Sequence, residues 1–168
     1  MFAMRYVTTL ALVALIVFGK TALSSEKEDI ASHYQMLEWQ DLVPSNWEAP
    51  LIPPGHDSEE AFQVPPEAVV ADLDGAMVAF PGFIKTAEFD DDKVKAFLMV
   101  PMLPHHTKQH AHLDANQRVY VHLLQPVAVD NPLKPIWVVG TLSIATTVTE
   151  EGPAAYRIAD GVITEYTY

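Results

Sequence analysis

The chain has 168 residues, 49% of them hydrophobic and 19% charged, and this balance predicts a folded globular protein rather than a disordered one. It carries 10 Lys and Arg residues against 22 Asp and Glu residues, a formal net charge of −12 at pH 7. Such a charge disfavours nucleic acid and anionic lipid surfaces as partners and attracts cations. Cysteine is absent, which excludes disulfides, iron–sulfur ligation by thiolates and thiol catalysis.

The N-terminus has the pattern of a secretory signal peptide. Arg5 precedes an apolar run at residues 7–18, and Ala22-Leu23-Ser24 fits a small-residue cleavage site before Ser25. The run is too short for a good membrane span. We therefore predict that residues 1–24 are a cleaved signal peptide, that the protein is periplasmic, and that it is not an integral membrane protein after cleavage. An uncleaved N-terminal membrane anchor is the alternative.

Residues 25–68 are predicted to be an irregular N-terminal arm with one short helix or turn. The helix is expected within residues 33–42, where apolar side chains group together. Prolines from Pro44 to Pro66 then disfavour regular secondary structure. An extended arm wrapped on the following domain and a disordered tether both fit this composition.

Residues 69–168 are predicted to form one β domain. The predicted strands are residues 76–84, 94–100, 118–127 and 136–145, followed by one or two more around an Asp160-Gly161 turn. No segment of useful length has a helical period after residue 67. Short strands interrupted by glycine or bulge positions favour a small OB-like antiparallel barrel, and a β-sandwich is the alternative. The fold class is therefore all-β. The expected core side chains are Val78, Phe80, Leu98, Val100, Val119, Val121, Val138, Leu142 and Ile158.

Four of the seven histidines lie in one loop between two predicted strands. These are His105, His106, His110 and His112, and Asp114 follows them. Imidazole is the commonest metal ligand in proteins, and sites rich in imidazole without thiolate suit Zn²⁺, Cu²⁺ or Ni²⁺. At most three histidines are expected to bind one ion, with Asp114 as an oxygen ligand or as a partner of a ligand. A solvated histidine-rich loop without a specific site is the alternative.

The sequence gives little support for catalysis or for nucleotide binding. No nucleophile elbow, phosphate-binding glycine loop or dinucleotide fingerprint is present. A zinc hydrolase needs a general base beside its ligands, and no glutamate adjoins the histidines. We therefore predict a protein that is not an enzyme.

An ordered series of short motifs resembles a bacterial family, the domain of unknown function 3299. The motifs are LEWQDLVP at residues 37–44, LDG at 73–75, FPGF at 80–83, FLMVP at 97–101, NQ at 116–117, WVVGTL at 137–142 and AYRI at 155–158. No single motif is specific, but their order covers roughly residues 35–168. The resemblance implies a small exported envelope protein or lipoprotein.

Members of this family look like companions of ABC-type permeases, which implies an accessory role in metal handling and makes zinc the first choice of metal. This chain departs from the family at residues 104–117, where a cysteine-containing run is replaced by histidines. The predicted function is an envelope accessory protein that binds zinc or another transition metal and works beside a permease. The alternative is a structural or protein-interaction module without a specific metal site. The oligomeric state stays open.

Overall fold

The computed structural model of the protein describes residues 34–49, 63–103 and 113–165. Within these ranges the secondary structure is β-strand with four short 3-10 helical turns. The strands are β1 (Gln35–Met36), β2 (Met77–Asp90), β3 (Lys93–Val100), β4 (Val119–Val127), β5 (Ile136–Thr149) and β6 (Gly152–Glu165). The described residues contain no helix long and apolar enough to cross a membrane. The predicted signal peptide, residues 1–24, lies outside the described ranges.

Five strands close a barrel in the order β2-β3-β4-β6-β5, and β5 returns to pair with β2. The first half of β2 pairs with β5 through Met77–Gly82, and the second half pairs with β3 from Phe83 onward. This closure distinguishes a barrel from the alternative β-sandwich, so the predicted small barrel is confirmed. The two-residue β1 adds a sixth strand beside the first half of β2.

The barrel is mixed rather than wholly antiparallel. Four of its five strand pairings are antiparallel, whereas β4 and β6 run parallel, with Val119 opposite Tyr156 and Val121 opposite Ile158. The reason is topological, because β6 returns from β5 as a hairpin and must insert beside β4 to complete the barrel. With β1 set aside, the order is that of a five-stranded OB barrel, in which the last strand lies between the third and the fourth.

The core lies inside the barrel, and every side chain predicted to be buried is at most 1% exposed. Strand alternation assigns them to two clusters. Phe97 and Met99 of β3 point into the barrel with most of the core, whereas Leu98 and Val100 point outward into a second apolar cluster. The sequence run at β3 is apolar on both faces because both faces of this strand are covered.

Three short 3-10 turns, Trp39–Leu42, Pro66–Ala68 and Ala71–Leu73, pack against the barrel. Trp39 lies edge-on against Phe80 with 5.3 Å between ring centroids, and its Nε1 donates to the Pro81 carbonyl at 2.7 Å. Tyr156 of β6 is fully buried, and its hydroxyl donates to the Leu42 carbonyl at 2.7 Å. The same oxygen accepts the Val70 N–H at 2.8 Å. The helix expected within residues 33–42 is thus the single turn Trp39–Leu42.

Asp160-Gly161 is not a turn, contrary to the prediction from its dipeptide chemistry. It lies inside the continuous strand β6, at irregularities in the pairing with both β4 and β5. A Cβ on Gly161 would lie 2.7 Å from the Val121 side chain, so only glycine allows β4 and β6 to approach this closely. Long-range pairing therefore overrides a local turn signal here.

Candidate functional site

The two described ends of the histidine loop are fixed to the outside of the barrel. Leu103, before the loop, is 4% exposed and belongs to the second apolar cluster with Leu98 and Val100. Leu113, after the loop, is half-buried and packs on the same cluster. Both ends consequently lie over the outer face of β3, the face that OB-type barrels commonly use for ligands. We call this outer face of β3, together with the polar residues Asp114, Arg118 and Tyr120 described below, the loop face.

Asp114 starts a 3-10 turn, Ala115–Gln117, immediately after the loop. Its backbone N–H donates to Gln117 Oε1 at 3.4 Å, and its carbonyl accepts the Gln117 N–H at 3.0 Å. Its carboxylate Oδ2 accepts the indole N–H of Trp47 at 3.3 Å. The Asp-x-x-Gln spacing of a capping box was the local signal for this turn. Asp114 is therefore held on a fixed element, and its carboxylate keeps lone pairs that can reach a cation.

Arg118 follows the turn and is half-buried beneath the β5–β6 tip. Its Nη1 donates to the Pro153 carbonyl at 3.2 Å. Burial lowers the pKa of its guanidinium, and the nearby charges of Glu151 and Asp114 oppose that shift. Gly152 (φ 101°) permits this approach, because a Cβ there would lie 2.5 Å from Nη1 of Arg118.

The β5–β6 tip is also joined to β2 by an ion pair. Lys85 Nζ lies 3.6 Å from Glu151 Oε1, and both side chains are partly exposed. An ion pair of this kind contributes little to stability, about 0–1 kcal/mol. Together with the charge of Glu151 near Arg118, it places this acidic side chain between two cations.

Asn116 ties the turn after the loop to the N-terminal segment. It is 1% exposed, and its Nδ2 donates to the Ala68 carbonyl at 3.0 Å. Its Oδ1 is buried without a hydrogen-bond partner among the described residues. Asn116 therefore makes a long-range tie to the N-terminal segment, whereas the Gln117 contact is local turn chemistry.

Lower on the same face, Tyr120 of β4 donates its hydroxyl to Glu88 Oε1 at 2.7 Å. Burial, the hydrogen bond and the charge of Glu88 raise the pKa of Tyr120 to about 12. Lys95 Nζ lies 3.9 Å from the other Glu88 oxygen. His122 is exposed on β4. Side-chain contacts of Tyr120 on β4 and Lys95 on β3 with Glu88 on β2 thus link three strands in this part of the face.

The structure places only one of the five predicted metal ligands. Asp114 lies on the loop face, whereas His105, His106, His110 and His112 fall outside the described residues. Within residues 34–49, 63–103 and 113–165, no three side chains of His, Cys, Asp or Glu gather in a group that could hold a metal ion. A histidine metal site therefore stays a prediction.

Sequence reasoning did not predict the contacts of Trp47, Arg118 and Tyr156. Trp47 and Asp114 are 67 positions apart, and Tyr156 and Leu42 are 114 apart, so no local pattern links them. The sequence signal for Arg118 was its charge at the start of the predicted alternating strand 118–127.

Comparisons with known proteins identify the chain's relatives. A solved crystal structure of a DUF3299 family protein from Pseudomonas aeruginosa PAO1 is similar to it, with 32% sequence identity and a TM-score of 0.61. The alignment covers 80% of this chain and 97% of that one. Among curated proteins, none matches. The family model described as "Protein of unknown function (DUF3299)" matches residues 39–165. The chain therefore belongs to the DUF3299 family.

Proposed function

We propose that this protein is an exported, non-enzymatic accessory protein of the cell envelope that binds zinc, or another transition metal, at its histidine loop. The proposed ligands come from His105, His106, His110 and His112, with Asp114 as an oxygen ligand or as a partner of a ligand. One observation supports this most strongly: the residues on both sides of the loop, Leu103 and Leu113, pack on one apolar cluster of the barrel.

Anchored ends favour metal binding for an entropic reason. Bringing the ends of a flexible segment together costs free energy that grows slowly with its length. Here the packing of Leu103 and Leu113 on the barrel offsets the entropic cost of closing the loop when the protein folds. Four imidazoles occur within eight residues of sequence between these fixed ends, and such closeness along the chain favours their joint binding of one ion.

The chemistry of the available donors favours zinc, copper or nickel over calcium or magnesium. Imidazole nitrogen suits these transition metals, whereas Ca²⁺ and Mg²⁺ require sets of oxygen ligands. Asp114 supplies one carboxylate whose position is fixed by Trp47. The formal net charge of −12 also raises the local concentration of cations around the protein.

The compartment and the partner are parts of the same proposal. The signal-peptide pattern of residues 1–24 supports export, and the motif resemblance supports a place beside an ABC-type permease in metal handling. Recovery of the protein from the periplasmic fraction, with Ser25 as its first residue, tests export. Co-purification with a permease from solubilised envelopes tests the partner.

A protein-interaction module without a metal site is the second candidate. It is favoured by exposed apolar side chains on the barrel, including Met36 at 63% and Val162 at 46% exposure. The two candidates differ in one direct respect, because only the first requires a specific site for a metal ion.

Calorimetric titration with Zn²⁺ at pH 7, on untagged protein, tests the metal site. We expect about one ion per chain at micromolar or tighter affinity, and loss of binding near pH 5 as the imidazoles protonate. Replacing all four loop histidines by alanine should abolish binding. Millimolar affinity, or binding that survives the fourfold replacement, would exclude the site.

The Asp114→Asn variant separates a ligand from a structural residue. Asparagine is as good as aspartate at the start of a helical turn, so the fold should be retained. If Asp114 binds the ion or orders a ligand, zinc affinity should fall about 10–100-fold while the melting temperature changes little. The exposed Asp92→Asn variant, at the β2–β3 tip, is the matched control and should bind zinc normally.

A further inference from the structure

The outer face of β4 and β6 presents an arginine and a histidine beside a tyrosine. Tyr120 of β4 lies opposite Arg157 of the parallel strand β6. The chain neighbours of both residues are fully buried in the core, so these two side chains point outward. His122 follows Tyr120 by two residues on the same face of β4 and is also exposed. Strand geometry places the Cα of Arg157 about 5 Å, and that of His122 about 7 Å, from the Cα of Tyr120.

The strand neighbours of this arginine and this histidine have short side chains. On β5, the residue opposite Arg157 is Ser143, and Ala159 follows Arg157 by two residues on β6. On β3, the residue opposite His122 is Ala96. Because none of these neighbours extends far from the backbone, the Arg157 guanidinium and the His122 imidazole are accessible to a ligand from solvent.

Arg157 differs from the other basic residues near the loop face. The amino groups of Lys85 and Lys95 lie 3.6 and 3.9 Å from carboxylates, and Arg118 donates to a backbone carbonyl. No acid in the described ranges forms an ion pair with Arg157. The nearby carboxylate of Asp160 instead accepts two hydrogen bonds from β5. An arginine without an ion pair in a chain with a formal net charge of −12 is thus available to an external anion.

Tyr120 forms a fixed surface beside these two donors. Its hydroxyl donates to Glu88 at 2.7 Å, which sets the direction of the ring. Burial and Glu88 raise the pKa of Tyr120, whereas the charge of Arg157 lowers it, so the guanidinium acts on the phenol at short range. The aromatic ring, the guanidinium and the imidazole therefore belong to one local surface.

We propose that Arg157 and His122 bind the phosphate group of a small ligand beside Tyr120. The planar guanidinium donates in parallel to two phosphate oxygens. An imidazole N–H approaches from a second direction and can donate to a third oxygen. A carboxylate has two oxygens, which a guanidinium alone can occupy, so the second donor favours phosphate.

The charge of the whole chain limits the affinity of this site. A formal net charge of −12 repels anions at long range, so binding depends on the local donors. The site is also shallow and exposed to water, which weakens its charge-assisted hydrogen bonds. For inorganic phosphate alone we expect a dissociation constant on the order of millimolar. The remainder of a natural ligand would add contacts with the surrounding face.

Amide NMR of the isotope-labelled chain, used as cells produce it, tests this proposal. The chain is titrated with sodium phosphate at pH 7 and constant ionic strength, with sodium chloride as the balancing salt. We expect saturable shifts at residues 120, 122 and 157, with half-saturation on the order of millimolar. Shifts that increase linearly up to about 50 mM, without saturation, would overturn the proposal.

Substitutions separate this site from a general effect of charge. Arg157→Gln should weaken phosphate binding at least about 10-fold, and His122→Gln about 2–10-fold. Lys134→Gln is the matched control, because it removes one positive charge at an exposed position between β4 and β5, and it should bind phosphate normally. Arg157→Lys keeps the charge but loses the planar fork, and it repeats the test if Arg157→Gln fails to fold. Equal binding by the Arg157 and Lys134 variants would refute the site.

Two further arms identify the source of the phosphate and exclude the metal site. Vesicles of phosphatidylglycerol should not retain the chain, because its net charge opposes an anionic surface, and the ligand is then a soluble phosphate compound. Retention that Arg157→Gln abolishes would instead make a lipid headgroup the source. The fourfold alanine variant of the loop histidines should bind phosphate like the unmodified chain. Loss of binding in that variant would place the phosphate at the loop and overturn the proposal.

Discussion

At the scale of single residues, Tyr156 makes more long-range connections than its sequence context indicates. Its ring is buried in the barrel core, and its hydroxyl bridges two backbone groups of the N-terminal segments, the Leu42 carbonyl and the Val70 N–H. Burial raises the pKa of this phenol, and the Val70 hydrogen bond opposes that rise. One side chain thus joins the last strand to two turns at the start of the fold.

Removing that hydroxyl should destabilise the protein. In Tyr156→Phe the Leu42 carbonyl and the Val70 N–H lose their shared partner, and buried backbone groups without partners cost about 1–3 kcal/mol. We expect a decrease of that size in the free energy of unfolding, measured by urea denaturation. Tyr120→Phe is the control, because among the described residues the Tyr120 hydroxyl bonds to the exposed Glu88 side chain, and its loss should cost less than about 1 kcal/mol. Equal losses in the two variants would contradict the assigned role.

At the scale of elements, two carboxylates replace missing strand partners of β5, one on each of its edges. Pairing shifts occur between Val139 and Leu142 and again between Ile144 and Thr147. At the first shift, Asp160 accepts hydrogen bonds from the Thr141 N–H and hydroxyl. On the opposite edge of β5, beyond its last pair with β2 at Met77–Thr141, Asp74 Oδ1 accepts the Ile144 N–H at 2.8 Å. Irregular strand pairs thus retain their hydrogen bonds while the long strands bend around the barrel.

Asp160→Ala tests this compensation. It removes both acceptors from Thr141, and we expect a loss of about 1–2 kcal/mol in the free energy of unfolding because the site is partly solvated. Asp160→Asn keeps one acceptor and should lose less. The exposed Asp92→Ala, at the β2–β3 tip, should change stability by less than about 0.5 kcal/mol. An Asp160→Ala variant as stable as the Asp92 variant would show that water replaces the carboxylate without cost.

At the scale of the whole molecule, two tyrosines predict how stability depends on alkaline pH. The pKa is raised for Tyr156 and to about 12 for Tyr120, with burial as the largest cause in each case. A folded state that holds these protons more tightly than the unfolded chain has its full stability below the unfolded pKa of about 10. That stability is lost as pH rises through the higher folded values.

Thermal melting between about pH 8 and 12 measures this loss. The melting temperature should fall above about pH 10, and the fall should be shallower when Tyr120 and Tyr156 are both replaced by phenylalanine. The comparison is needed because lysines also lose their charge in this range, which increases the net negative charge of every variant alike. Equal slopes in the unmodified and doubly substituted chains would refute the contribution of these phenols.

The sequence by itself determined the β class and the inward side chains of most strands. It did so because strand periodicity and apolar runs are local properties that burial of one face enforces. The sequence also identified Asp114 and the histidine loop as candidate ligands, because the ability of histidine and aspartate to bind a metal follows from the residue type alone.

Only the tertiary structure decided which strands pair and which distant residues meet. The parallel β4–β6 pair, the continuous strand through Asp160-Gly161 and the outward position of Leu98 all depend on neighbours far along the chain. Trp47 beside Asp114, and Met36 in line with Val162 across four strands, arise in the same way. Barrel closure brings these residues together because each strand must satisfy its hydrogen bonds on both edges. The partner strands that do so cannot be inferred from any single segment of the sequence.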